Sequence, residues 1–280
     1  MKIIRRYAGR LIRSSMRPFI KDRDLVETLC LCENLSRRGL ASSIGYWNDK
    51  NDSPRMIADA NLEVLTRLSR YQRGSYLSIK APPLHYSGEL LSEVASRANE
   101  VGIRLHFDAH GPESANPTFE LIDTLLLTTS RIGCTLPGRW RRSLDDVDCA
   151  IERNLCVRVV KGQWEDDEGP SIDPNAGFLS VVDRLAGRAD HVGIATHDPV
   201  LAETAMKRLT RAGTPCELEL MFGLPENKLR RVAESMDIPI RFYIPYGHGW
   251  LQYLLSQMLA NPSRSASLAL NVAKEFSFSY

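Results

Sequence analysis

The segment VRVVKGQW, residues Val157–Trp164, is the strongest indication of the fold in this chain. It is an apolar run typical of a buried strand, yet it contains two cations, Arg158 and Lys161, and Gly162 follows directly. Burying an unpaired cation costs on the order of several kcal/mol, so each cation needs an anion or a ligand. A glycine at the strand end lets another group approach the backbone closely. The segment is therefore either an ordinary strand whose cations pair with nearby acids or part of a binding site.

Strand alternation divides the side chains of this segment between two faces. It predicts that Val157, Val159 and the stem of Lys161 share one face, while Arg158 and Val160 lie on the other. The two cations are therefore expected on opposite faces of the strand.

Composition excludes several classes of protein. With 280 residues, the chain is long enough for one barrel-type domain or for two smaller domains. The 36 basic and 34 acidic residues give a net charge of +2, which predicts no nucleic-acid partner. Six cysteines without a CxxC pair favour a reduced, cytoplasmic protein with no metal site. The basic start MKIIRRYAGRLIRSSMRPF lacks a long apolar core, so we expect no secretory signal, and no apolar run reaches membrane-spanning length.

Short β-type runs alternate with helical patterns along the chain. Strands are expected near Ala41–Tyr46, Tyr76–Lys80, Ile103–Asp108, Gly133–Leu136, Cys156–Lys161, Val192–Thr196, Cys216–Met221 and Pro239–Ile244. Helices are expected near Met56–Ser69, Leu90–Ala98, Thr118–Leu127, Leu144–Arg153, Gly177–Leu185, Pro199–Arg211, Glu226–Met236 and Gly249–Leu259. Residues suited to helix N-caps precede several of them: Ser53, Ser87, Asn116, Ser143 and Asp198.

These alternating elements predict an α/β fold, a single (β/α)8 TIM-like barrel. Residues 1–40 are expected to form an N-terminal helical flank, and residues 41–280 the barrel. A doubly wound open sheet is the alternative, but such folds usually carry a glycine-rich phosphate loop after the first strand. Here the first strand runs into GYWNDKND, which favours the barrel.

Polar side chains stand at the carboxyl ends of most predicted strands, where barrel enzymes carry their active sites. They are Lys80, Asp108, Arg158, Lys161, Thr196, His197, Glu219, Tyr243 and Tyr246. Taken singly, each is more often structural than catalytic. Together they must converge on one mouth and find partners there. The cations suit an anionic cofactor or substrate, and Asp108 and Glu219 are placed to orient those cations.

The ordered set of motifs resembles the flavin-dependent proline dehydrogenases, which are distorted β/α barrels, over most of the chain. LCENLSRRGLASSIGYW resembles the family's first helix and strand, and GCTLPGRWRRS its strand followed by Gln-Ala-Tyr and a basic helix. YLSIKAPPL is similar to SIKLSAL, RLHFDAHGPES to a strand ending in DAE, and VRVVKGQWE to R-L-V-K-G-A-Y. GIATHDP is similar to F-A-T-H-N, and ELELMFGLPE to E-F-Q-x-L-x-G-M. RFYIPYGHGWLQYLLSQMLANP follows Y-x-P-Y-G-x-x-W-x-x-Y-x-x-R-R-x-x-E-N.

The resemblance implies a non-covalent FAD across the barrel mouth. Arg158 would face the reactive nitrogen of the flavin and stabilise the negative charge of the reduced ring. The other residues implied at the cofactor are Lys161, Gly162, Trp164, Thr196, His197 and Glu219, of which Glu219 stands at the family's Gln position and Trp164 at its Tyr position. The resemblance also implies catalytic roles for Lys80, Asp108, Arg158, Tyr243 and Tyr253, and substrate contacts from Met221, Tyr243, Tyr253, Ser256 and Gln257.

The sequence departs from the family where the substrate carboxylate would bind. The family's arginine pair and glutamate are Ser256, Gln257 and Ala260 here. Serine and glutamine donate hydrogen bonds but do not neutralise a carboxylate, unlike a bidentate arginine. Pro137 also replaces a Gln that would contact the flavin, and His110 replaces an acid. These changes affect the substrate more than the cofactor.

Three functions fit this pattern. The first is an FAD-dependent oxidoreductase that converts a cyclic or secondary amine, related to proline but without a free carboxylate at the family's position, to an imine. A derivatised or carrier-tethered amine would fit, and the electron acceptor is left open. The second is a catalytically silent or flavin-independent barrel that acts as a binding partner. The third is an ordinary proline dehydrogenase that holds the carboxylate with Arg139 or Arg241, while Arg139 or Arg142 would add positive charge from another direction.

Overall fold

The protein folds as a closed barrel of eight parallel strands in the order β1 to β8, with helices between them. A computed structural model describes residues 23–68, 74–166 and 169–247. Each strand pairs in parallel with the next along the chain, and β1 pairs with β8 to close the sheet. The prediction of a (β/α)8 TIM-like barrel is confirmed, and the open-sheet alternative is wrong.

The strands are β1 Ala41–Tyr46, β2 Tyr76–Ile79, β3 Arg104–Phe107, β4 Ile132–Pro137, β5 Cys156–Val160, β6 Val192–Ala195, β7 Cys216–Met221 and β8 Ile240–Tyr246. The helices are α1 Leu25–Arg37, α2 Pro54–Leu68, α3 Gly88–Glu100, α4 Ala115–Leu126, α5 Ser143–Glu152, α6 Pro174–Leu185, α7 Pro199–Arg211 and α8 Asn227–Ser235. Short 3₁₀ turns lie at Pro82–Leu84 and Pro112–Ser114.

The predicted elements that fall within the described residues agree with these bounds to within a few residues, but two predicted caps are wrong. Ser87 caps α3 and Asp198 caps α7 through side-chain hydrogen bonds, as expected. Asn116 instead lies inside α4, because the 3₁₀ turn before it starts the helix earlier. Ser143 is the first residue of α5, and its hydroxyl donates to the carbonyl of Pro137 at 2.6 Å.

Helix α1 precedes the barrel, with Asp24 as its N-cap in a reciprocal capping box with Glu27. Residues 1–22 and the predicted helix Gly249–Leu259 lie outside the described residues, so the division of the chain at residue 40 stays a prediction. No helix in the described part of the chain is both long and apolar enough to cross a membrane.

Hydrogen bonds between strands that are not neighbours identify the interior of the barrel. Ser43 of β1 and Tyr76 of β2 both donate to Glu219 of β7, at 2.6 and 2.5 Å. Arg158 of β5 donates to Ser78 of β2 at 3.2 Å. The interior is therefore polar, whereas barrels of this class are commonly filled with branched apolar side chains.

The alternate residues of the same strands form the apolar layer between barrel and helices. Leu77, Val157, Val159 and Leu218 are buried in one core with helix residues such as Phe178. This arrangement confirms that Arg158 lies on the face opposite Val157 and Val159. The strand period thus places charges inside the barrel and apolar side chains outside it.

Candidate functional site at the barrel mouth

A cavity of about 440 Å³ opens at the carboxyl ends of the strands. Every residue that the resemblance assigns to the site in the described part of the chain lines it: Lys80, Asp108, Arg158, Lys161, Gly162, Trp164, Thr196, His197, Glu219, Met221 and Tyr243. Tyr246, which was expected at the same mouth, does not line it, and its hydroxyl donates to the carbonyl of Ala60 at 2.9 Å. Tyr253, Ser256 and Gln257 lie outside the described residues. The roles assigned to all of these residues from the resemblance stay predictions.

Arg158 is the centre of the polar interior and is only 5 % exposed. Its Nη1 atom donates to Glu219 at 3.0 Å, and its Nη2 atom donates to Asp108. Its Nε atom donates to the hydroxyl of Thr135 at 3.1 Å. The guanidinium also lies 5.5 Å from the centre of the Tyr243 ring. Arg158 is therefore held by several strands at once, and its orientation is fixed.

The charge of Arg158 is stabilised despite its burial. Burial by itself would lower the pKa of this guanidinium, but Glu219, Tyr76 and Asp108 raise it well above the ordinary value. Burial would likewise raise the pKa of Asp108, yet Arg158 and Lys80 hold it below its ordinary value. The site therefore contains a fixed cation and a fixed anion in direct contact.

Asp108 joins the deep interior to the cavity. One of its oxygens accepts from Arg158 and from Ser78. The other lies 3.3 Å from the ammonium of Lys80 and accepts from the hydroxyl of Tyr243 at 3.3 Å. The sequence-based expectation that Asp108 orients the nearby cations agrees with these contacts.

Tyr243 is positioned by a tryptophan that sequence reasoning missed. The indole N–H of Trp47 donates to the Tyr243 hydroxyl at 3.0 Å, and the Lys80 ammonium lies 4.7 Å from the centre of the Trp47 ring. Gly45 makes room for this arrangement, since a Cβ atom there would lie 2.1 Å from the Tyr243 oxygen. Burial, followed by the charge of Asp108, raises the pKa of Tyr243 well above its ordinary value, so the hydroxyl is neutral. Trp47 follows the end of β1, and its strand-end position was the available signal.

Lys161 does not follow the predicted face. It lies after the last paired residue of β5, Val160, so strand alternation no longer applies to it. Its side chain lines the same cavity as Arg158 and forms an ion pair with Asp198 at 3.3 Å. The expectation that the two cations lie on opposite faces is therefore wrong.

Gly162 is required by the backbone and by a neighbouring loop. Its φ angle is +92°, a conformation that side-chain-bearing residues rarely adopt. A Cβ atom there would lie 2.8 Å from Pro137 and 2.9 Å from Arg139. The group that approaches this glycine closely is thus the loop after β4.

His197 follows β6 and forms hydrogen bonds with the end of β7 and with the loop after it. Its Nδ1 atom lies 3.2 Å from the carbonyl of Pro225, and its Nε2 atom accepts from the backbone N–H of Met221 at 2.9 Å. This pattern requires a proton on Nδ1 and a neutral ring. Burial lowers the pKa of His197, which agrees with the neutral form. The neighbouring hydroxyl of Thr196 accepts from the backbone of Asp198 at 3.2 Å.

Trp164 and His110 form one wall of the mouth. Their rings stack with centroids 4.7 Å apart, and Trp164 is 42 % exposed. The pKa of His110 is lowered by its partial burial and then by the charge of Lys80. The sequence singled out His110 only as a departure from the family, and its pairing with Trp164 depends on two loops that are distant along the chain.

The arginines proposed as replacement carboxylate grips or as added positive charge have other partners. Arg241 lies near the amino end of β8, where it forms a bidentate pair with Glu217 at 2.8 and 2.9 Å. Arg142 pairs with Asp146 inside α5. Arg139 donates to the carbonyl of Gln163 at 3.3 Å. Arg241 is therefore wrong as a grip, because it lies at the opposite end of the barrel from the cavity.

Charges in the described lining of the cavity balance. The cations are Lys80, Arg158 and Lys161, and the anions are Asp108, Asp198 and Glu219. Each cation has a carboxylate oxygen within 3.3 Å. Among these residues the charge of each cation is therefore already offset by a neighbouring carboxylate.

The fold and this cavity define a parallel β/α barrel with its polar site at the carboxyl ends of the strands. Comparison of the sequence with protein-family models and with curated proteins gave no match. Solved structures, however, share the fold. The crystal structure of proline utilization A (PutA) from Bdellovibrio bacteriovorus inactivated by N-propargylglycine has a TM-score of 0.77 and 16 % sequence identity. That alignment covers 96 % of this chain and 35 % of the PutA chain.

Two further PutA structures show the same relation. PutA from Corynebacterium freiburgense has a TM-score of 0.71 and 15 % identity, with 98 % of this chain and 34 % of that chain covered. A mutant of Bradyrhizobium japonicum PutA has a TM-score of 0.68 and 18 % identity, with 86 % and 31 % covered. The protein therefore shares its fold with part of these PutA chains and spans about a third of their length.

Proposed function

We propose that the protein is an FAD-dependent oxidoreductase that converts the C–N bond of a proline-related cyclic or secondary amine to an imine. The substrate carboxylate is absent, moved or derivatised. The observation that carries this proposal is the charge balance of the cavity, in which Lys80, Arg158 and Lys161 already have carboxylate partners. A free carboxylate entering it would meet anions without gaining an unpaired cation.

The described residues fit a flavin ring. The mouth combines flat aromatic surfaces, from Trp47 and Trp164, with apolar side chains such as Met221. The buried ammonium of Lys80 has no well-directed hydrogen bond within the described residues, although it lies 3.3 Å from Asp108. A ring with carbonyl and nitrogen acceptors supplies what this donor lacks. Gly162 adds a stretch of wall without a side chain.

The chemistry divides between cofactor and chain. A bound flavin would supply the two-electron acceptor for the hydride on the carbon next to the amine, and the N–H proton would pass to solvent as the imine forms. Asp108, held by Arg158 and Lys80, presents a fixed anion toward the amine. Tyr243, held by Trp47, places a neutral hydroxyl beside it. These groups are oriented before a ligand binds, which lowers the entropic cost of positioning the substrate.

One observation favours the alternative of a catalytically silent barrel. The guanidinium of Arg158 is shared between two carboxylates, so it has less positive charge to offer a reduced flavin than an unpaired arginine. A silent barrel would retain this interior for folding alone. Ordinary proline dehydrogenase activity is supported least, because Arg241 is committed to Glu217 and Arg139 to the backbone of Gln163.

The test separates these functions. The purified protein should be yellow, and its bound flavin should bleach under anaerobic conditions with an amine substrate. Proline would be compared with its ester, its amide and its decarboxylated analogue. We expect bleaching by one or more masked or carboxylate-free amines and little or none by proline. A colourless protein that does not take up FAD supports the silent barrel, and fast, saturable bleaching by free proline supports an ordinary proline dehydrogenase.

A further inference from the structure

Glu219 is a buried carboxylate with both oxygens engaged by the protein. It lies on β7, is 3 % exposed, and faces the barrel interior below the cavity. Its Oε1 atom accepts from Ser43 at 2.6 Å and from Arg158 at 3.0 Å, and its Oε2 atom accepts from Tyr76 at 2.5 Å. Three donors hold it in one place, so its charge acts from a fixed position.

The charge of Glu219 determines the net charge of the ion-paired residues at the base of the cavity. Lys80, Arg158, Asp108 and Glu219 are linked by ion pairs and line the same cavity. Two cations and two anions leave this group neutral. Without Glu219, the same group would carry one net positive charge, in a partly buried place where water screens it weakly.

We propose that Glu219 is a specificity-determining residue, which cancels the positive charge of Arg158 and so keeps carboxylate-bearing ligands out of the cavity. This proposal rests on the proposed function, and it adds the physical cause by which the cavity discriminates between carboxylate-bearing and neutral ligands. It places that cause on β7, whereas the resemblance placed it at Ser256, Gln257 and Ala260. Selection against a charged ligand by a fixed like charge is a recognised route to specificity.

The barrel contains a matched control for this proposal. Glu217 lies two residues earlier on the same strand and is also buried, with Arg241 as its bidentate partner. Arg241 lies at the amino end of the barrel, away from the cavity. Replacing Glu217 thus removes the same kind of charge from the same strand without changing the charge of the cavity lining.

The experiment measures binding of three probes that share a ring and differ in charge: benzoate, benzamide and benzamidine. Affinities would be measured by tryptophan fluorescence and calorimetry for the wild type, Glu219→Gln and Glu217→Gln, with and without added FAD. Because the flavin-free protein is also tested and no turnover is needed, the result is separate from the success of the proposed enzymatic function. Glutamine keeps the shape of Glu219: its amide oxygen can accept from Ser43, and its NH2 group can donate to the hydroxyl of Tyr76.

We expect the wild type to bind benzamide at least as tightly as benzoate. Glu219→Gln should bind benzoate on the order of tenfold or more tightly than the wild type does, with benzamide nearly unchanged. Glu217→Gln should resemble the wild type. An unchanged benzoate-to-benzamide ratio in Glu219→Gln, or an equal change in Glu217→Gln, would overturn the proposal, as would the absence of binding of every probe.

A measurement on the wild type keeps the proposal testable if Glu219→Gln does not fold. The wild-type ranking needs no variant at all. A wild type that binds benzoate tenfold more tightly than benzamide overturns the proposal by itself.

Discussion

Replacing Arg158 with Gln should destabilise the protein strongly, because the guanidinium joins strands on different sides of the barrel. It donates to Asp108, Glu219, Thr135 and Ser78. Glutamine is shorter and uncharged, so two buried carboxylates would lose their common cation. The resemblance to the proline dehydrogenases implies that Arg158→Ala weakens flavin reduction more than protein stability. The contacts of Arg158 predict a large loss of stability as well.

The magnitude follows from the burial of the pairs. Breaking a buried ion pair by removing one partner typically costs about 3–5 kcal/mol, since the remaining charge stays desolvated. An exposed pair contributes about 1 kcal/mol or less. Arg153→Gln is a suitable control, because Arg153 pairs with Asp123 at 2.6 Å while the Asp123 side chain is 49 % exposed. We expect a loss of about 3–5 kcal/mol for Arg158→Gln and about 1 kcal/mol or less for the control.

The pH dependence gives a second, more specific expectation. In the wild type, the folded-state pKa of Asp108 is lowered, so its stabilisation is present above the unfolded pKa and is lost as pH falls through the lower folded value. Without Arg158, burial should raise the pKa of Asp108 above its unfolded value. As the pH falls from about 7 to about 5, the unfolding free energy of the variant should therefore rise relative to that of the wild type.

Urea unfolding followed by tryptophan fluorescence at both pH values measures these differences, provided that the slope with denaturant is unchanged. A loss in Arg158→Gln no larger than in Arg153→Gln would refute the argument that Arg158 holds the interior together. A large loss that is the same at both pH values would contradict the assignment of part of the cost to the loss of Arg158 as a partner of Asp108.

Gly162→Ala should lower the free energy of unfolding by about 1–2 kcal/mol because of its positive φ, and by about 1–3 kcal/mol more because of its close contact with Pro137 and Arg139. Gly213→Ala is the control, since Gly213 has a φ of +73° and no atom within 4 Å of an added Cβ, and it should show only the first loss. Equal losses in urea unfolding would count against the contact. Burial lowers the pKa of His197 below its ordinary value of 6.5, so the stabilisation that the neutral ring provides should fall as the pH drops below about 6.5. The difference in unfolding free energy between the wild type and His197→Gln should therefore shrink at low pH. A difference that does not change with pH would argue against the neutral ring. Trp47→Phe removes the N–H that donates to Tyr243 and should weaken binding of the best amine ligand about two- to tenfold, measured by flavin bleaching; an unchanged affinity would rule out a positioning role for Trp47.

The fold was predictable because each strand and helix has a local signal. Alternating apolar residues and the cap at Asp198 predicted β6, α7 and β7 almost to the residue. The faces of β5 followed as well, since Arg158 must oppose Val157 and Val159 wherever the strand is paired. Lys161 escaped the same rule because pairing ends one residue before it. A period of two holds only as far as the ladder extends.

The candidate site was predictable at strand ends and much less so elsewhere. Asp108 and Glu219 could be expected near Arg158, because parallel strands bring their carboxyl ends to one mouth. The cross-barrel partners Ser43 and Tyr76 could not, since a bond from β1 or β2 to β7 depends on how the sheet closes. No pattern along the chain states which interior side chains will meet.

The polar interior links the stability of this barrel to its choice of ligand. In most barrels of this class, apolar layers fill the interior and the site above can change freely. Here the pairs Arg158–Glu219 and Arg158–Asp108 close the interior and also set the charge that a ligand meets. A change at Glu219 that admits a carboxylate therefore also leaves Arg158 with one fewer buried partner, and stability should fall. A bound carboxylate would replace that partner, so the variant should regain more stability from benzoate than the wild type does. The affinity for a charged ligand and the folding stability therefore depend on the same ion pairs.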